Sequence, residues 1–371
     1  MVSRRVFLTG LAGAAATAVA ASVIFLQPRD TTSSSEAEVE VVAQRLNVPW
    51  SITFLNNDEA VFTERNGTLN LLSLGSGRVE TVARLDVTAV GEGGLLGVET
   101  LQSGKNTLLF LYYTYSEQGT IYNKVVRAKL SGGLDDVVEI ISRIPGGRIH
   151  NGGRIKIGPD KHLYITTGEA GDTNLSQRTD SLGGKILRIT TDGKIPVDNP
   201  FQNPVFAYGL RNPQGIAWHP ENGRLYSTDH GPTGEGLRRA HDEVNLIRPG
   251  ENYGWPFVIG DEERPGMKKP VYHSGTETWA PSGCCFYSGR RNNDYRNSFF
   301  FACLRGSHLH RVVFGPDGES VATAQKLFQD RFGRLRDVVE GPDGALYVLT
   351  SNRDGRGTPV ADDDRIIRIV F

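Results

Sequence analysis

Short runs of alternating apolar and polar residues recur along the chain, each introduced by a turn and followed by a small polar exit. Four clear examples begin at Phe54 (FLNNDEAVFTERNG), Gly158 (GPDKHLYITTGEAG), His219 (HPENGRLYSTDHG) and Gly341 (GPDGALYVLTSN). Weaker counterparts span residues 107–115 (TLLFLYYTY) and 297–304 (NSFFFACL). Period-two alternation predicts strands, and the Pro, Asn, Asp and Gly clusters between them are turn formers.

These units number six and are spaced roughly 45 to 75 residues apart, the size of a four-stranded sheet with insertions. No long segment after the N-terminus shows the 3.6-residue apolar period of a helix. The pattern therefore predicts an all-β fold, a six-bladed β-propeller with four-stranded antiparallel blades, over residues 41–371. A sandwich of similar size is the alternative. In a propeller, loops from different blades meet at one mouth of the channel and can share one site.

The first forty residues have a different character. Arg4 and Arg5 precede an apolar, small-residue stretch over residues 11–26, which is typical of a twin-arginine export signal. We therefore assign residues 1–29 to a signal or membrane anchor and residues 30–40 (Ser/Thr/Glu-rich) to a linker. Export places the catalytic body outside the cytoplasm. The sequence leaves open whether the signal is cleaved or kept as a membrane tether.

Composition supports the all-β prediction and excludes some partners. Gly accounts for 44 of 371 residues, as expected for many tight turns. A formal net charge of -1 and the lack of a basic stripe argue against nucleic acid as a partner. The three cysteines, Cys284, Cys285 and Cys303, are too few for a disulfide scaffold or a thiolate zinc site. A single bridge from the adjacent pair to Cys303 remains open.

Two segments carry candidate chemistry. His150 lies in a glycine-flanked run (GGRIHNGGR) just before a predicted strand, where a neutral imidazole could accept a hydroxyl proton. Glu169, at the exit of the following unit, is a candidate to hold that ring in one tautomer. Farther on, Arg211 and Asn212 precede a Gly231-Pro232 turn, a combination suited to gripping an anion and offering carbonyl oxygens to a hard cation.

Three later arginines are candidates for binding a planar, multiply charged ligand. Arg334 and Arg336 have the period-two spacing that places both on one face of a strand, and Arg305 lies in LRGSHL. Guanidinium forks match carboxylates in bidentate geometry. The alternative is a structural salt bridge with Asp337 or Asp343.

The motifs HNGGR, LGGKILRI, DGKIPVDNPF, YGLRNPQGIAW, DHGP, DEVN, GENYGWP, APSG and RLRDV occur in this order. Together they resemble the soluble pyrroloquinoline quinone (PQQ)-dependent aldose sugar dehydrogenases of the glucose/sorbosone dehydrogenase family, and the resemblance runs from residue 49 to the C-terminus. It implies oxidation of the anomeric carbon of an aldose to a lactone, with hydride passing to PQQ and electrons then passing to an external acceptor.

The resemblance also implies roles for individual residues. His150 would be the general base, and Arg211 would stabilise negative charge on the quinone oxygens. Asn212 would hydrogen-bond the cofactor. The carboxylates of the cofactor would be bound by Arg305, Arg334 and Arg336. Arg305 stands at a position where relatives carry a Lys.

For metals, the resemblance implies a Ca²⁺ on the carbonyls of Gly231 and Pro232 that also contacts the quinone. A second, structural Ca²⁺ would use the Glu243 carboxylate and the Tyr253 carbonyl. The sequence departs from the family at Glu92, a position that is often Gln in relatives, at His230, where some relatives have Gln, and in a longer loop after Pro232. Glu92 is expected near His150 and the sugar, and His230 beside the cofactor.

Two other functions are compatible with the predicted fold. A calcium-dependent lactonase or esterase would hold its metal deep in the channel with Asn, Asp and Glu side chains, and would not need the cluster Arg305, Arg334 and Arg336. A non-catalytic propeller that binds a protein partner would not need His150 and Arg211.

Overall fold

The computed structural model describes residues 37–233 and 238–371, which form six four-stranded antiparallel sheets. The sheets are the six blades of a β-propeller, so the predicted fold is confirmed. Two short 3-10 turns, Thr173–Gln177 and Asn293–Tyr295, are the helical elements of the described part of the chain.

Five of the six blades use four consecutive strands, numbered here in chain order, and the sixth adds the N-terminal strand to the last three. Blade 1 contains β2 (Pro49–Phe54), β3 (Glu59–Glu64), β4 (Thr68–Ser73) and β5 (Val79–Arg84). Blade 2 contains β6 (Leu95–Ser103), β7 (Asn106–Glu117), β8 (Thr120–Leu130) and β9 (Leu134–Pro145). Blade 3 contains β10 (Ile155–Ile157), β11 (Leu163–Thr167), β12 (Lys185–Ile189) and β13 (Val205–Tyr208).

Blades 4 to 6 follow the same plan. Blade 4 contains β14 (Pro213–Trp218), β15 (Leu225–Asp229), β16 (Glu243–Ile247) and β17 (Tyr272–His273). Blade 5 contains β18 (Pro281–Phe286), β19 (Phe299–Cys303), β20 (His308–Phe314) and β21 (Val321–Leu327). Blade 6 contains β22 (Leu335–Glu340), β23 (Leu346–Thr350), β24 (Ile366–Val370) and the N-terminal β1 (Glu38–Ala43).

The ring is closed by pairing the two ends of the propeller chain. β1 runs antiparallel to β24, with Val39 opposite Ile369 and Val41 opposite Ile367. Blade 6 is therefore complete only when the N-terminal strand is added. Because β1 begins at Glu38, the propeller includes the last three residues of the segment expected to be a linker.

The first strand of each blade lies innermost, since β2, β6, β10, β14, β18 and β22 contact one another around the axis. Five of these six strands have a register shift near their start, at Pro49/Ser51, Leu95/Val98, Pro213/Gly215, Pro281/Cys284 and Leu335/Asp337. At the rims of β structures, bulges change the direction in which side chains point. Here they lie at the end of the channel where the candidate site forms.

Apolar side chains fill the spaces between neighbouring blades. One of these cores packs Phe299 and Phe301 of blade 5 against Tyr226 and Val244 of blade 4, all of them almost inaccessible to solvent. The predicted alternation of the strands supplies these inward faces. Adjacent blades are thus joined by continuous cores, which fixes the loops that connect them.

Two expectations about the rest of the chain have different outcomes. All three cysteines are free thiols, so the bridge left open for Cys303 does not form. The predicted export signal, residues 1–29, lies outside the described residues. Within residues 37–233 and 238–371, no helix is both long and apolar enough to cross a membrane.

Candidate active site

The predicted site residues converge at one rim of the channel because of hairpin geometry. In an antiparallel hairpin, the residue before the first strand and the residue after the second lie at the same edge. His150 precedes β10 and Glu169 follows β11, while Arg211 precedes β14 and His230 follows β15. The four side chains therefore reach one end of the propeller from blades 3 and 4.

A polar pocket of about 550 Å³ opens at this rim. Its volume is in the range of small-molecule sites. It is lined by Arg65, Gly91, Glu92, Ile149, His150, Arg211, Gln214, His230, Thr233, Thr278, Ala280, Leu304, Arg305, Arg334, Arg336, Asp354 and Arg356. A larger groove of about 800 Å³ lies along residues 263–271 and contains none of the predicted residues.

His150 is held on two sides by carboxylates. Its Nδ1 contacts the buried Glu169 carboxylate, and its backbone N–H donates to Glu92 Oε2 at 2.9 Å. The residue has a φ of +56°, an uncommon conformation for a side chain other than glycine. With Nδ1–H donating to Glu169, the lone pair of a neutral ring is on Nε2. The arrangement can accept a proton from a ligand in the pocket.

Gly168 explains how Glu169 comes so close to the histidine. A Cβ added at Gly168 would lie 2.0 Å from the carbonyl oxygen of His150, closer than any side chain could be placed. Ala170 N–H also donates to that oxygen at 3.1 Å. The glycine at this position lets the strand exit of blade 3 pack directly against the His150 backbone.

The Arg211-Asn212 pair is positioned by a buried aspartate. Asp229 accepts hydrogen bonds from the backbone N–H of Arg211 at 2.9 Å and of Asn212 at 2.7 Å. Burial raises the pKa of Asp229 to about 6, although these two hydrogen bonds favour its charged form. The Arg211 guanidinium lies 5.2 Å from the Trp255 ring and lines the pocket.

Asn212 does not line the pocket and is fully buried behind it. Its Oδ1 accepts from the Gly152 N–H at 2.9 Å, which ties the His150 loop to the start of β14. Its Nδ2 has no hydrogen-bond partner in the protein. This unpaired Nδ2–H group is the part of Asn212 that could donate a hydrogen bond to a cofactor.

His230 lines the same pocket and is neutral. Burial lowers its pKa well below the usual value, and the nearby Arg211 and Arg336 act in the same direction. Its Nε2 is buried and has no partner in the protein. A neutral ring with an open nitrogen can hydrogen-bond a ligand at this wall.

The late arginines reach the pocket, but not in the predicted way. Arg334 precedes β22, and Arg336 is the extra residue of the bulge between Leu335 and Asp337. The assumption of a regular period-two strand was therefore wrong here. Arg305 comes from the turn between β19 and β20.

These arginines also have an acidic partner that the sequence did not suggest. The Arg334 guanidinium makes hydrogen bonds of 3.0 and 2.9 Å to Asp354 Oδ2, and Arg336 Nη2 lies 4.0 Å from the same oxygen. Arg336 Nη1 donates to Gln214 Oε1 at 2.7 Å, and its Nε is buried without a partner. Neither Asp337 nor Asp343, the predicted alternatives, is recorded as a partner of either arginine in the described part of the chain.

The pocket lining has an excess of positive charge. It contains six arginines and only two carboxylates, Glu92 and Asp354. Arg356 pairs with Glu92 at 2.8 Å, while Arg334 and Arg336 share Asp354 at 2.9 and 4.0 Å. The remaining charge favours an anionic ligand with several carboxylates.

The Gly231-Pro232 turn lies between two pocket residues, His230 and Thr233. It is buried, and Gly231 N–H donates to Asp242 Oδ1 at 2.9 Å. The Pro232 carbonyl accepts from Ala240 N–H at 2.7 Å, so one of its lone pairs is in use. A carbonyl oxygen has a second lone pair, which leaves it able to ligate a cation.

Glu243 is a buried candidate cation ligand on the strand that follows this turn. It is buried opposite Asp229 in the β15–β16 pair, and burial together with Asp229 raises its pKa to about 8. Its oxygens accept from Asn245 Nδ2 and Gly260 N–H, both at 3.1 Å. Tyr253 is buried nearby in sequence, and its N–H donates to the Tyr208 carbonyl at 2.9 Å. A buried carboxylate beside a second carboxylate is a donor set that fits Ca²⁺.

Beneath the pocket, a buried ion pair crosses the channel. Arg154 of blade 3 donates to Asp337 of blade 6 at 2.8 Å and to Ser51 of blade 1 at 2.8 Å. Its Nε donates to the Gln214 carbonyl at 3.0 Å. The buried positive charge of Arg154 would repel a metal ion bound in the channel at this depth. This counts against the lactonase alternative, which needs such an ion.

Sequence reasoning missed several residues of the pocket, chiefly Arg65, Gln214, Asp354 and Arg356. Asp354 and Arg356 lie in the exit after β23, as Glu169 lies in the exit after β11, although farther from the strand end. Comparing the polar exits of the repeated units would have pointed to this segment. Gln214 is the extra residue of a bulge in β14, and no pattern in the sequence marks it as a pocket residue.

Comparisons with known proteins identify relatives of the whole propeller. A family model described as Glucose / Sorbosone dehydrogenase matches residues 46–367. The chain is 32% identical to the aldose sugar dehydrogenase YliI of Escherichia coli, covering 85% of this chain and 91% of that protein. It is 31% identical to quinoprotein glucose dehydrogenase B of Acinetobacter calcoaceticus, covering 90% and 88% of the two chains.

A solved structure extends the similarity to three dimensions. The PQQ-bound form of an aldose sugar dehydrogenase from Streptomyces coelicolor superimposes with a TM-score of 0.80 at 37% identity. The match covers 93% of this chain and 99% of the other.

Proposed function

The chain belongs to the glucose/sorbosone dehydrogenase family, and on that premise we propose that it is a PQQ-dependent aldose sugar dehydrogenase. The observation that carries this proposal is the pocket itself. One side presents the open Nε2 of His150, and another presents arginines suited to a polycarboxylate. The net reaction oxidises the C1–OH of an aldose to a lactone, and the electrons then pass to an external acceptor.

His150 is the general base in this proposal. Its Nε2 accepts the proton of the C1 hydroxyl as the C1–H leaves as hydride. Glu169, on Nδ1, fixes the tautomer and stabilises the imidazolium that forms. Glu92 holds the backbone of the same residue and contributes a carboxylate to the sugar side of the pocket. PQQ, when bound, supplies the two-electron acceptor for the hydride.

The arginines divide into two proposed roles. Arg211, fixed by Asp229 beneath it, stabilises negative charge on the quinone oxygens, an electrostatic contribution that needs no reorganisation at the moment of reaction. Arg305, Arg334 and Arg336 bind the cofactor carboxylates. Asn212 Nδ2 and His230 Nε2, both lacking partners in the protein, donate to or accept from the cofactor.

Two Ca²⁺ sites complete the proposal. The carbonyls of Gly231 and Pro232 would hold one ion beside the pocket, where it supplies Lewis acidity to the quinone. The Glu243 carboxylate and the Tyr253 carbonyl would hold the second. The buried carboxyls of Asp229 and Glu243, whose pKa values are raised, support a cation here, since bound Ca²⁺ would stabilise their ionised forms and offset their repulsion.

The direct test is reconstitution of the purified apoprotein with PQQ and Ca²⁺, followed by dye reduction with a panel of aldoses. We expect turnover that requires PQQ, Ca²⁺ and the sugar together. A folded protein that binds PQQ but reduces no dye with any aldose would exclude the proposed activity. A lactone panel run without PQQ tests the lactonase alternative in the same preparation.

We further propose that the protein is exported by the twin-arginine route and works outside the cytoplasm. Arg4 and Arg5 before the apolar stretch support this. Fractionation of cells that express the full chain should find it outside the cytoplasm, and Arg4→Lys with Arg5→Lys should retain it inside. Equal distribution of both forms would contradict the proposal.

A further inference from the structure

A second cluster of potential ligands lies in blade 5, behind the turn that carries Arg305. The side chains of Cys303, His308 and His310 are all buried, and their potential ligand atoms lie within 4.8 Å of one another. The spacing is Cys-x4-His-x-His, across the hairpin of β19 and β20. No role in the proposed dehydrogenase uses these three residues.

The register of the hairpin places them on one face. Cys303 is directly opposite His308, and His310 lies two residues farther along β20, where side chains return to the same side. His310 Nδ1–H donates a hydrogen bond to His308 Nε2 at 2.9 Å. Once that proton is displaced, two imidazole nitrogens with a thiol beside them form the donor set of a soft-metal site.

The outer partners of both rings suit metal ligation. His308 Nδ1 donates to the Gly306 carbonyl at 2.8 Å, which leaves Nε2 as the nitrogen with a lone pair. His310 Nε2 lies 3.3 Å from the Tyr272 hydroxyl. Ligating histidines typically hydrogen-bond through their other nitrogen to a carbonyl or similar group, which fixes the ring orientation. This second shell is already in place.

From these contacts we propose that Cys303, His308 and His310 bind a single Cu(I) ion. The site offers three ligands, one of them a thiolate, so bound Cu(I) carries no net charge with its ligands in a buried environment. Zn²⁺ would leave a net charge of +1 and would need a fourth ligand. The aromatic surroundings, with Phe301 stacked on His310 at 4.6 Å, favour the neutral complex.

Binding requires one proton to leave and one to move. The Cys303 thiol releases its proton to solvent as the Cu–S bond forms. The His310 proton moves from Nδ1 to Nε2, from which it donates to the Tyr272 oxygen, and the copper keeps its oxidation state. The hydrogen bond between the two rings is lost because the metal takes the place of the shared proton, and the sulfur and both nitrogens must settle about 2.0–2.3 Å from the metal.

The bound ion would stabilise the turn between β19 and β20. Residues 304–307 connect Cys303 to His308, and Arg305 and Gly306 N–H both donate to the Trp279 carbonyl, at 3.0 and 2.9 Å. A metal that joins the two strand ends would fix this turn, and with it Arg305 on the pocket wall. The proposal concerns metal binding alone and does not depend on the dehydrogenase activity.

The test is Cu(I) binding by the intact chain, measured anaerobically by competition with a chromophoric copper chelator. We expect one Cu(I) per wild-type chain, and a loss of affinity of at least about 100-fold in Cys303→Ser and in His308→Gln, since each removes a ligand. Cys285→Ser is the matched control, because that thiol packs into a different core, and it should bind as the wild type does.

A separate measurement covers the case in which a variant fails to fold. X-ray absorption at the copper edge of the wild-type protein should show one sulfur and two imidazole nitrogens. Weak or absent Cu(I) binding by the wild type would overturn the proposal. So would unchanged affinity in folded Cys303→Ser, a coordination shell without sulfur, or stoichiometric binding of Zn²⁺ alone.

Discussion

The rims of blades 3 and 6 use the same two segments of the repeated unit, the entry to the first strand and the exit of the second, for opposite chemistry. In blade 3, His150 lies in the loop that leads into β10, and the exit of β11 supplies its carboxylate partner, Glu169. In blade 6, the residue before β22 is Arg334 and the exit of β23 supplies its partner, Asp354. One hairpin thus presents a proton acceptor, and the other presents a fixed positive charge.

Under the proposed function, this difference separates proton transfer, on blade 3, from binding of the cofactor carboxylates, on blade 6. A carboxylate beside a histidine sets a tautomer and leaves the far nitrogen reactive. A carboxylate beside an arginine orients a guanidinium whose charge is retained. If the proposed function holds, changes at blade 3 affect turnover and changes at blade 6 affect cofactor affinity.

The largest expected effect is at blade 3. Replacing His150 with Ala should lower kcat by about 10²–10⁴-fold, the usual contribution of a general base, while the affinity for PQQ changes little. Stopped-flow reduction and a cofactor titration measure the two quantities separately. His162→Gln, at the opposite end of the same blade, is the control and should keep full activity. An unchanged kcat would mean that another group is the base.

The next effect is at blade 6. The double change Arg334→Ala and Arg336→Ala should weaken PQQ binding by at least about 100-fold, because hydrogen bonds to charged groups contribute about 1.5–3 kcal/mol each. At saturating cofactor, kcat should stay near the wild-type value. The exposed Arg331 offers a control, Arg331→Ala, that removes a nearby charge outside the pocket. An unaltered titration curve for the double variant would disprove the proposal that Arg334 and Arg336 bind the cofactor carboxylates.

A smaller effect concerns Glu243 in protein stripped of metal by a chelator. Its pKa of about 8 exceeds the usual 4.5, so between these values the folded chain binds a proton that the unfolded chain has lost. Stability due to this group therefore falls as pH rises from about 4.5 to about 8, by up to about 1.4 kcal/mol per pH unit, and levels off above that range. Thermal unfolding at pH 7 and 8 should show a steeper decline for wild type than for Glu243→Gln. Equal declines of stability with pH in the two proteins would contradict the assignment of the raised pKa to Glu243.

Adding Ca²⁺ to the stripped protein should reverse that decline, because a bound cation stabilises the ionised carboxylate. The gain in melting temperature should be larger at pH 8 than at pH 7 and smaller in Glu243→Gln. Mg²⁺ at the same concentration serves as the control, since it prefers smaller octahedral sites. A gain that is equal for both ions would indicate nonspecific binding.

The smallest effect is expected for Glu92→Gln. The amide oxygen can still accept from the His150 N–H, so the loop stays in place, but the ion pair with Arg356 is lost. Because that pair is partly exposed, we expect a change of only a few-fold, mainly in KM for the sugar. Steady-state kinetics with two aldoses would show it. A collapse of kcat would place Glu92 in the proton-transfer step itself.

The sequence predicted the fold well because each blade repeats one local pattern. The turn, the alternating strand and the polar exit are all encoded within about fifteen residues, so blade number and strand order follow from counting. The pairing of His150 with Glu169 could be predicted for the same reason. Both residues flank a single hairpin, and hairpin geometry brings its two ends together.

The blade 6 site could not be predicted in the same way. A bulge shifts Arg336 out of the regular alternation, and neither its contact with Gln214 of blade 4 nor its approach to Asp354 follows from spacing. The Cys303 thiol illustrates the same limit. The sequence suggested a bridge to its cysteine neighbours, whereas the register of β19 and β20 places it beside two histidines instead.

The most direct test of the central claim is single-turnover reduction of the reconstituted wild-type enzyme by the best aldose of the panel, carrying hydrogen or deuterium at C1. If the C1–H bond breaks in the pocket between His150 and the cofactor, deuterium should slow cofactor reduction severalfold. An identical rate with both sugars, or no reduction by either, would contradict the account.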